Sequence, residues 1–466
     1  TYTVSKYGYE TKTGTIKVEG GDVSKDVALT ALTAYQVKFV ADPADASVTL
    51  THPVGGPIAA DENGAYIVYL GETYAYTVTK ADYITVSGSF TAAKNDTITV
   101  TLTYAGAGWD GTTKTAPTQD KSGVYLIDTA AKLAWFADAV NKGGTTISGK
   151  LTANINLNGK TWTAIGTDSN KFAGTLDGDS HTVSGLAGTG GLVYYLSANG
   201  TVKSLCVDCA IDGTSNVGGI ADKSEGRIEN CLVSGYIKGG NDTIFGVGGI
   251  VGHGVAGNVI SGCVSTADIL FKYSRYAVQN GAGGIVGYTY GTVENCYFAG
   301  NVHTNAKSVS AGGFGGLVGC ARSNAVMKDC YTVGAVTGPE SSFGAVVGKV
   351  NSGATITNCA YLDTVAPQAA ADGTTSGMTA RTADYMRTPE FAAEMGMHLD
   401  SGNSNGGFPV LPWQGGTPVD NADLKAAAAA ANALELRGMS AADAAKKAKA
   451  DWYAETVLEP YDLNNY

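Results

Sequence analysis

The sequence predicts a mainly β protein: a right-handed parallel β-helix with three strands per turn, an N-terminal β-sandwich module before it, and a C-terminal α-helical segment after it. Three observations predict this fold class. The 466 residues include 64 Gly and 25 Tyr and are only 16% charged, which is typical of many short strands joined by tight turns. A glycine-flanked apolar motif and a strand that ends in cysteine both recur about every thirty residues. Before these repeats, Thr, Val and Tyr alternate with period two, as in half-buried strands.

Composition also limits the partners. The net charge of −11 and the lack of a basic cluster argue against nucleic acid and anionic membrane surfaces as partners. The chain has no apolar run of about eighteen residues, so we expect no membrane insertion of this segment. Its many Ser, Thr, Asn and Tyr residues favour an extracellular, surface or cell-wall location. Thr1 is not a natural start, so we expect a piece of a larger polypeptide with further modules.

The first 104 residues show an internal repeat that defines β-modules. Tyr2, Thr3, Val4, Lys6, Tyr9 and Gly14 recur as Tyr76, Thr77, Val78, Lys80, Tyr83 and Gly88. We therefore expect residues 1–32 to be the end of a truncated module and residues 33–104 to be a β-sandwich. This region resembles the PEGA-type and carboxypeptidase-regulatory-like modules of bacterial surface proteins, which implies a stalk or spacer, with carbohydrate binding as the alternative. Residues 105–120, rich in Gly, Thr and Pro, are predicted to be a linker.

The central repeats, within residues 121–415, predict the coil. Each begins with an apolar pair between glycines, such as Ile285 and Val286. The motifs are Gly218-Gly219-Ile220, Gly248-Gly249-Ile250-Val251-Gly252, Gly283-Gly284-Ile285-Val286-Gly287, Gly315-Gly316-Leu317-Val318-Gly319 and Gly344-Ala345-Val346-Val347-Gly348. A second strand, which ends in cysteine, and a short third strand follow each motif. A unit this small cannot bury its apolar face alone, so it must stack on its neighbours, with each strand pairing to its equivalent in the next turn.

Five cysteines occupy one position of the repeat: Cys231, Cys263, Cys296, Cys330 and Cys359. We expect them to form a structural column of buried, reduced thiols inside the coil. Disulfides between neighbouring turns fit the bond geometry poorly, and no repeated CxxC pair indicates zinc, so no metal or cofactor is predicted. The residues just before them, Asn230, Asn295, Asp329 and Asn358, predict a structural polar ladder.

Both ends of the coil are predicted to be closed. Residues 128–142 have helical apolar spacing, with Asp128 or Thr129 as N-cap, and should cover the first turn. The segment FPVLPWQ (408–414) is predicted to be a last strand over the final turn. Residues 416–466 are predicted to be an Ala-rich helical spacer.

The repeat units GGIVGYTYGTVENCYFAGNV and GGLVGCARSNAVMKDCYTVGAV closely resemble the GLUG repeat of bacterial surface proteins. The preceding GVYLIDTAAKLAWFADAVNKG resembles the start of such domains in Gram-positive gut bacteria, and FPVLPWQ resembles their end. The resemblance spans roughly residues 109–415. It implies a place in large adhesin-like proteins or in the non-catalytic parts of some immunoglobulin A peptidases. It implies no catalytic residues.

Two functions therefore remain open. In the first, the chain is a structural and adhesive segment of a secreted or wall-attached protein that binds a glycan or an extracellular protein. Tyr273, Tyr276, Tyr288 and Tyr290 are its candidate binding residues, because exposed aromatic rings stack on sugars or anchor partners.

In the second, the β-helix is a glycoside hydrolase or polysaccharide lyase. Such an enzyme needs two carboxylates in reach of one glycosidic bond. Asp177 with Asp179, and Glu229 with Glu294, are the candidates. The first pair is better explained as a turn and the second as a solvated face. The loop DSGNSNGG (400–407) is similarly predicted to be a polar hairpin and not a calcium site.

Overall fold

The computed structural model describes residues 2–17, 24–52, 56–80, 83, 85–102, 108–214, 216–239, 246–271, 281–304, 313–337 and 343–419. The chain divides into two compact units, residues 1–108 and 109–466. From residue 420 onward the predicted helical spacer lies outside the described residues.

The first unit contains a β-sandwich within residues 34–101. Sheet β6-β3-β9 and sheet β5-β4-β7-β8 share one core, in which Leu50, Val68 and Tyr74 have no exposed surface. A separate hairpin, β1–β2, precedes them. The strands are β1 (Tyr2–Val4), β2 (Lys12–Gly14), β3 (Ala34–Asp42), β4 (Ser47–His52), β5 (Gly56–Ile58), β6 (Ala65–Tyr69), β7 (Thr73–Thr79), β8 (Val86–Thr91) and β9 (Asp96–Thr101).

The second unit begins with a segment that packs on the coil. We predicted residues 105–120 to be a linker, and from residue 109 onward the structure departs from that prediction. The Trp109 ring lies 5.9 Å from the Trp162 ring, and Thr115 N–H donates to Ala131 O at 3.0 Å. Two large indole rings bury more apolar surface against each other than a solvated linker permits.

Helix α1 (Ala130–Asn141) covers the first turn of the coil, as predicted. The side chain of Thr129 caps it by accepting the N–H of Lys132. Phe136 has no exposed surface and lies 5.8 Å from the ring of Phe172. The helix therefore closes the interior at this end.

The coil itself is a stack of parallel strands in three sheets, and each full turn is here called a rung. Equivalent strands of successive rungs pair in register, so that Ile228 pairs with Ile260 and Ile260 with Val293, all without exposed surface. This confirms the predicted parallel β-helix. The glycine-flanked motif contributes two strands per rung. A two-residue strand ends at its first glycine, as in Val247–Gly248, and a four-residue strand begins at the second residue of its apolar pair, as in Val251–Gly254.

The strands fall into three groups. The seven-stranded sheet contains β15 (Val193–Leu196), β19 (Ala221–Ser224), β23 (Val251–Gly254), β28 (Val286–Thr289), β33 (Val318–Ala321), β37 (Val347–Val350) and β39 (Ala370–Asp372). The five-stranded sheet contains β18 (Val217–Gly218), β22 (Val247–Gly248), β27 (Ala282–Gly283), β32 (Phe314–Gly315) and β36 (Phe343–Gly344). The nineteen-stranded sheet contains β10 (Tyr125–Ile127), β11 (Gly149–Leu151), β12 (Ile155–Asn156), β13 (Thr175–Asp177), β14 (Thr182–Gly188), β16 (Thr201–Lys203), β17 (Cys206–Asp212), β20 (Arg227–Glu229), β21 (Leu232–Gly239), β24 (Val259–Ser261), β25 (Val264–Ser265), β26 (Asp268–Phe271), β29 (Thr292–Glu294), β30 (Tyr297–Phe298), β31 (Asn301–Thr304), β34 (Val326–Thr332), β35 (Ala335–Thr337), β38 (Thr355–Leu362) and β40 (Met378–Arg381).

One corner of each rung requires a left-handed backbone. The residue before each column cysteine has positive φ: 53° at Asn230, 50° at Asn295, 55° at Asp329 and 47° at Asn358, with Gly262 at 61°. Asn, Asp and Gly tolerate this conformation best, which explains the residue types at this position. The predicted side-chain ladder is present where Asn358 Nδ2 donates to Asp329 Oδ1 at 2.8 Å.

We predicted that residues 408–414 would form a last strand over the final rung, and this prediction is wrong. The C-terminal segment instead folds back along the side of the coil. It contains α2 (Ala383–Met386), α3 (Pro389–Glu394) and a 3-10 turn (Pro412–Gln414). Trp413 Nε1 donates to Gly262 O at 2.9 Å, and the Tyr331 hydroxyl donates to Pro409 O. The physical reason is an apolar stripe on the outside of the coil that needs a cover. The stripe and its cover comprise Val264, Tyr297, Tyr331, Ala360, Met386, Phe391, Met395, Met397, Phe408 and Leu411.

Candidate functional site

The outer side of the seven-stranded sheet carries a group of aromatic and basic side chains in register. One position in each strand forms a column that we call the outer ladder: Tyr195, Lys223, His253, Tyr288, Cys320, Lys349 and Asp372. Parallel in-register pairing places each of these side chains about 4.8 Å from the next. The fold therefore brings together residues that lie far apart in sequence.

A stacked pair forms the centre of the outer ladder. The His253 and Tyr288 rings lie 4.1 Å apart at an interplanar angle of 19°, and the Arg322 guanidinium lies 5.7 Å from the centre of the Tyr288 ring. Burial, together with the charges of Lys223 and Arg322, lowers the pKa of His253 to about 4. The imidazole is therefore neutral at pH 7, which suits a ring whose nearby charges, on Lys223 and Arg322, are both positive.

The ion pair between Lys171 and Glu225 holds Tyr195, the first residue of the outer ladder, in place. The Tyr195 hydroxyl donates to Glu225 Oε1 at 2.7 Å, and Lys171 donates to the same oxygen at 2.8 Å. The Lys171 ammonium also lies 4.2 Å from the centre of the Tyr195 ring. The hydrogen bond from Lys171 lowers the pKa of Glu225, so this carboxylate is charged.

A second network lies beside it. Lys223 pairs with Asp168 at 3.0 Å, and the Tyr194 hydroxyl donates to the same carboxylate at 2.8 Å. The Lys223 ammonium lies 5.0 Å from the centre of the Tyr194 ring. The aromatic rings, cations and carboxylates here are fixed by one another, so the surface is preorganised.

The predicted binding tyrosines have different positions. Tyr290 is 40% exposed, and its ring centre lies 6.3 Å from that of His253, so it extends the outer ladder toward solvent. Tyr288 does not fit the predicted stacking role: it is 7% exposed because it packs against His253. Tyr273 and Tyr276 lie outside the described residues.

The rest of the outer ladder was missed in the sequence, although a signal for it exists. Its members from Lys223 to Lys349 are the sixth residue counted from the first glycine of each motif, as in GGIVGH and GGIVGY. Aligning the repeats on that glycine would have placed Lys223, His253, Tyr288, Cys320 and Lys349 in one column. Asp168, Lys171 and Arg322 reach the outer ladder from neighbouring loops, and no repeat position indicates them.

The five column cysteines lie inside the coil, each at most 2% exposed. Cys263 N–H donates to Cys296 Sγ and Cys296 N–H to Cys330 Sγ, both at 3.4 Å. The Cys296 thiol donates back to Glu294 O at 3.1 Å. Sulfur thus serves backbone groups at the left-handed corner, where the strand pairing is interrupted. All eight cysteines of the chain are free thiols.

The carboxylates considered for catalysis are each paired with a base. Asp177 contacts Lys203 at 3.1 Å and Asp179 contacts Lys150 at 2.9 Å. Positive φ at Asp179 (47°) and at Ser180 (68°) also fits the predicted turn.

The second pair is arranged similarly. Glu229 pairs with Arg227, and Glu294 pairs with Lys328 at 3.0 Å. Ser261 lies between the two glutamates in the register, so they are two rungs apart. These contacts form a charge-alternating outer face, and they do not favour glycosidase chemistry.

The loop at 400–407 is a hydrogen-bonded hairpin. The Asp400 carboxylate accepts the N–H groups of Ser404, Asn405 and Gly407 at 2.8, 2.7 and 3.0 Å. These donors occupy the oxygens that a calcium ion would need. Within the described ranges, no group of three or more His, Cys, Asp or Glu residues is arranged to hold a metal ion. None of the helices in those ranges is long and apolar enough to cross a membrane.

Comparisons with known proteins identify the repeat. Residues 279–302 match the family described as "Glug: The GLUG motif". A stretch of 89 residues, 18% of this chain, is 40% identical to halomucin of Haloquadratum walsbyi, and it spans 1% of the length of that protein. Among solved structures, an IgA1 protease matches with a TM-score of 0.38 and 16% identity, over 76% of this chain and 29% of the protease. The chain thus carries a GLUG motif in its coil, at the rung that supplies Tyr288 and Tyr290.

Proposed function

We propose that this chain is a structural and adhesive segment of a large extracellular protein, secreted or attached to the cell wall of a bacterium. In this proposal the β-helix is a rigid support, and the outer ladder with Tyr290 is its binding surface. The partner is a glycan or an extracellular protein.

The observation that carries the proposal is the contrast between the two outer faces of the coil. On the nineteen-stranded sheet, the outward carboxylates Asp177, Glu229 and Glu294 are each neutralised by a neighbouring base. Lys171 and Lys223 in the outer ladder region are paired as well, but here the cations lie against aromatic rings: Lys171 over Tyr195, Lys223 over Tyr194 and Arg322 over Tyr288. Tyr290, beside His253, is 40% exposed. Aromatic and cationic groups together suit both sugar hydroxyls and acidic protein side chains.

Support for the surface location comes from the repeat itself. The GLUG motif lies in the same rung as Tyr290, and the halomucin similarity links part of the chain to a very large protein. Labelling intact cells of the source organism with antibody raised against the chain tests this location. Surface labelling that is lost after brief external proteolysis is expected, whereas signal only after cell lysis would contradict the proposal.

The binding role is tested on a glycan array and on immobilised extracellular matrix proteins, using the full chain. Tyr290→Ala should weaken any binding that is found. Tyr236→Ala is a matched control, because Tyr236 is also 40% exposed but lies on the nineteen-stranded sheet. Equal loss in both variants, or in neither, would contradict a binding role of the outer ladder. Analysis of the same glycans for cleavage products tests for enzymatic activity.

A further inference from the structure

The first hairpin of the chain has the same structure as a hairpin of the sandwich. In β1–β2, Tyr2 pairs with Gly14, and in β7–β8, Tyr76 pairs with Gly88. In both, the tyrosine ring covers its glycine so closely that an added Cβ would lie 2.6 Å from the Tyr2 hydroxyl or 2.5 Å from the Tyr76 hydroxyl. The sequence repeat is therefore also a structural repeat.

The connecting turns agree as well. Tyr9 N–H donates to Lys6 O at 3.0 Å, and Tyr83 N–H donates to Lys80 O at 3.2 Å. Each lysine ammonium lies over the ring of the tyrosine that follows, 4.7 Å from the centre for Tyr9 and 5.4 Å for Tyr83. Two independent contacts thus recur at equivalent positions.

The two hairpins differ in what covers them. Val78 has no exposed surface because strands β4 and β9 contribute to its core, whereas the equivalent Val4 is only half-buried. After the second hairpin, β9 pairs with β3. After the first hairpin, residues 24–30 have the alternating pattern of a strand but do not form one. The local pairing is present in the first copy, and the long-range pairing that buries it is missing.

We propose that residues 2–32 are the final strands of a second module of the same fold as residues 33–102, and that Tyr7 and Gly8 form the joint between the two modules. The partner of this surface is thus a copy of the module itself, joined in tandem. This inference does not depend on the binding role of the outer ladder.

The joint is an aromatic socket on the sandwich. The Tyr7 ring lies 4.9 Å from the His52 ring and 5.0 Å from the Tyr69 ring, in an edge-to-face arrangement at 86° with the latter. The Tyr7 hydroxyl is 3.1 Å from the Tyr74 hydroxyl. His52 is only 6% exposed, and its Nε2 lies 2.8 Å from Glu72 Oε2, which fixes the base of the socket.

Gly8 is required beside it. Its φ of 82° is left-handed, and an added Cβ would lie 2.8 Å from the Tyr69 ring. Only glycine both adopts this backbone and permits this approach. The ring of Tyr7 and the absence of a side chain at Gly8 therefore act together.

The second hairpin has a different sequence at these two positions. Ala81 and Asp82 replace Tyr7 and Gly8, so that hairpin has neither the ring nor the glycine. The socket therefore accepts a module that ends in a Tyr-Gly hairpin. A module that ends in Ala-Asp, like the one before the coil, does not continue the array.

A fusion tests the proposal directly. A second copy of residues 33–75 is placed before Tyr2 of the full chain, and hydrogen exchange is measured. The added segment and residues 24–32 should become protected together, with exchange at the Val4 amide slowed at least to the level of Val78. An added segment that exchanges freely while residues 33–102 remain protected would overturn the proposal.

The joint is tested in the same fusion. Tyr7→Ala should leave both modules protected, but exchange at the Leu32 amide, which donates to Gly8 O at 2.9 Å, should accelerate by about tenfold. Small-angle scattering should show a broader distribution of distances between the modules. Tyr9→Ala in the same hairpin is the control, since its ring contacts Lys6 and not the socket. Scattering and exchange unchanged by Tyr7→Ala would show that Tyr7 is not a joint.

Discussion

Replacing Asp222 with asparagine should make the coil more stable at neutral and alkaline pH. Asp222 is 3% exposed, and its Oδ1 accepts the N–H of Gly191 at 2.8 Å and of Gly218 at 3.3 Å. Gly218 belongs to β18, the first strand of the five-stranded sheet, so the carboxyl group takes the place of a preceding strand. In later rungs glycine occupies the position of Asp222: Gly252, Gly287, Gly319 and Gly348.

The magnitude follows from the pKa. Burial raises the pKa of Asp222 from 3.8 to about 8, against the smaller opposing effect of the two N–H donors. The folded state therefore binds this proton more tightly than the unfolded state. This contribution is fully present below about pH 4 and is lost as the pH rises toward 8. At about 1.4 kcal/mol per pKa unit, over roughly four units, the loss approaches roughly 6 kcal/mol as an upper limit.

Urea unfolding of both proteins from pH 5 to pH 9 measures this contribution. Asp222→Asn keeps the Oδ1 acceptor for both N–H groups and removes the titration. Because all other titrating groups are shared, the difference in unfolding free energy between the two proteins isolates Asp222. It should change in favour of the variant by several kcal/mol across this range. A difference that is constant with pH, or that changes in favour of the wild type, would refute the reasoning, because the carboxylate would then be charged in the folded state.

Three further predictions concern the left-handed corner of each rung, the column of five cysteines, and the C-terminal segment that covers the apolar stripe. Because Asn295 has a φ of 50°, Asn295→Ala should lower the unfolding free energy by about 1–2 kcal/mol. Asn295→Gly should be nearly neutral, since Gly262 occupies the equivalent corner of another rung. Thermal unfolding compares the two variants, and equal losses of stability would contradict the backbone argument. Of the eight thiols only Cys206 is half-buried, so at most one should react with a thiol reagent before urea unfolds the chain, and rapid reaction of several would disprove a sealed column. Tyr331→Phe removes the hydroxyl that donates to Pro409 O, and should destabilise the packing of residues 383–414 on the coil by about 1–3 kcal/mol, measured as faster amide exchange in that segment. Tyr290→Phe changes an exposed residue and is the control that should leave this exchange unchanged.

The repetitive part of the fold could be predicted because its signals are local and recur. The glycine-flanked apolar pair and the cysteine position specify where each strand begins and ends, and stacking follows since a single rung cannot bury its interior. Capping helix α1 was also predictable, from Thr129 and the helical spacing of Leu133, Phe136 and Val140. The left-handed corner appears in the sequence as the Asn or Asp before four of the five column cysteines, with Gly262 before the fifth, although its backbone conformation was not predicted.

The errors have a common cause, which is contact between distant segments. Nothing near Trp413 indicates that its indole reaches Gly262, because the apolar stripe it helps to cover is spread over several rungs. Trp109 was similarly placed in a linker, since its partner Trp162 lies in a rung beyond α1. Tyr288 looked like a binding residue because its burial depends on His253, one rung earlier.

By itself the sequence determined the coil, its repeat length and the thiol column, because periodic residues have to meet their own copies in the next rung. Only the tertiary structure decided which side chains remain exposed. Tyr290 and Tyr288 differ by two positions, yet one is 40% and the other 7% exposed, according to which rung and loop lie beside each ring. The exposure of a side chain depends on the neighbours that strand pairing brings beside it from elsewhere in the chain. A side chain can contact a partner only where it remains exposed.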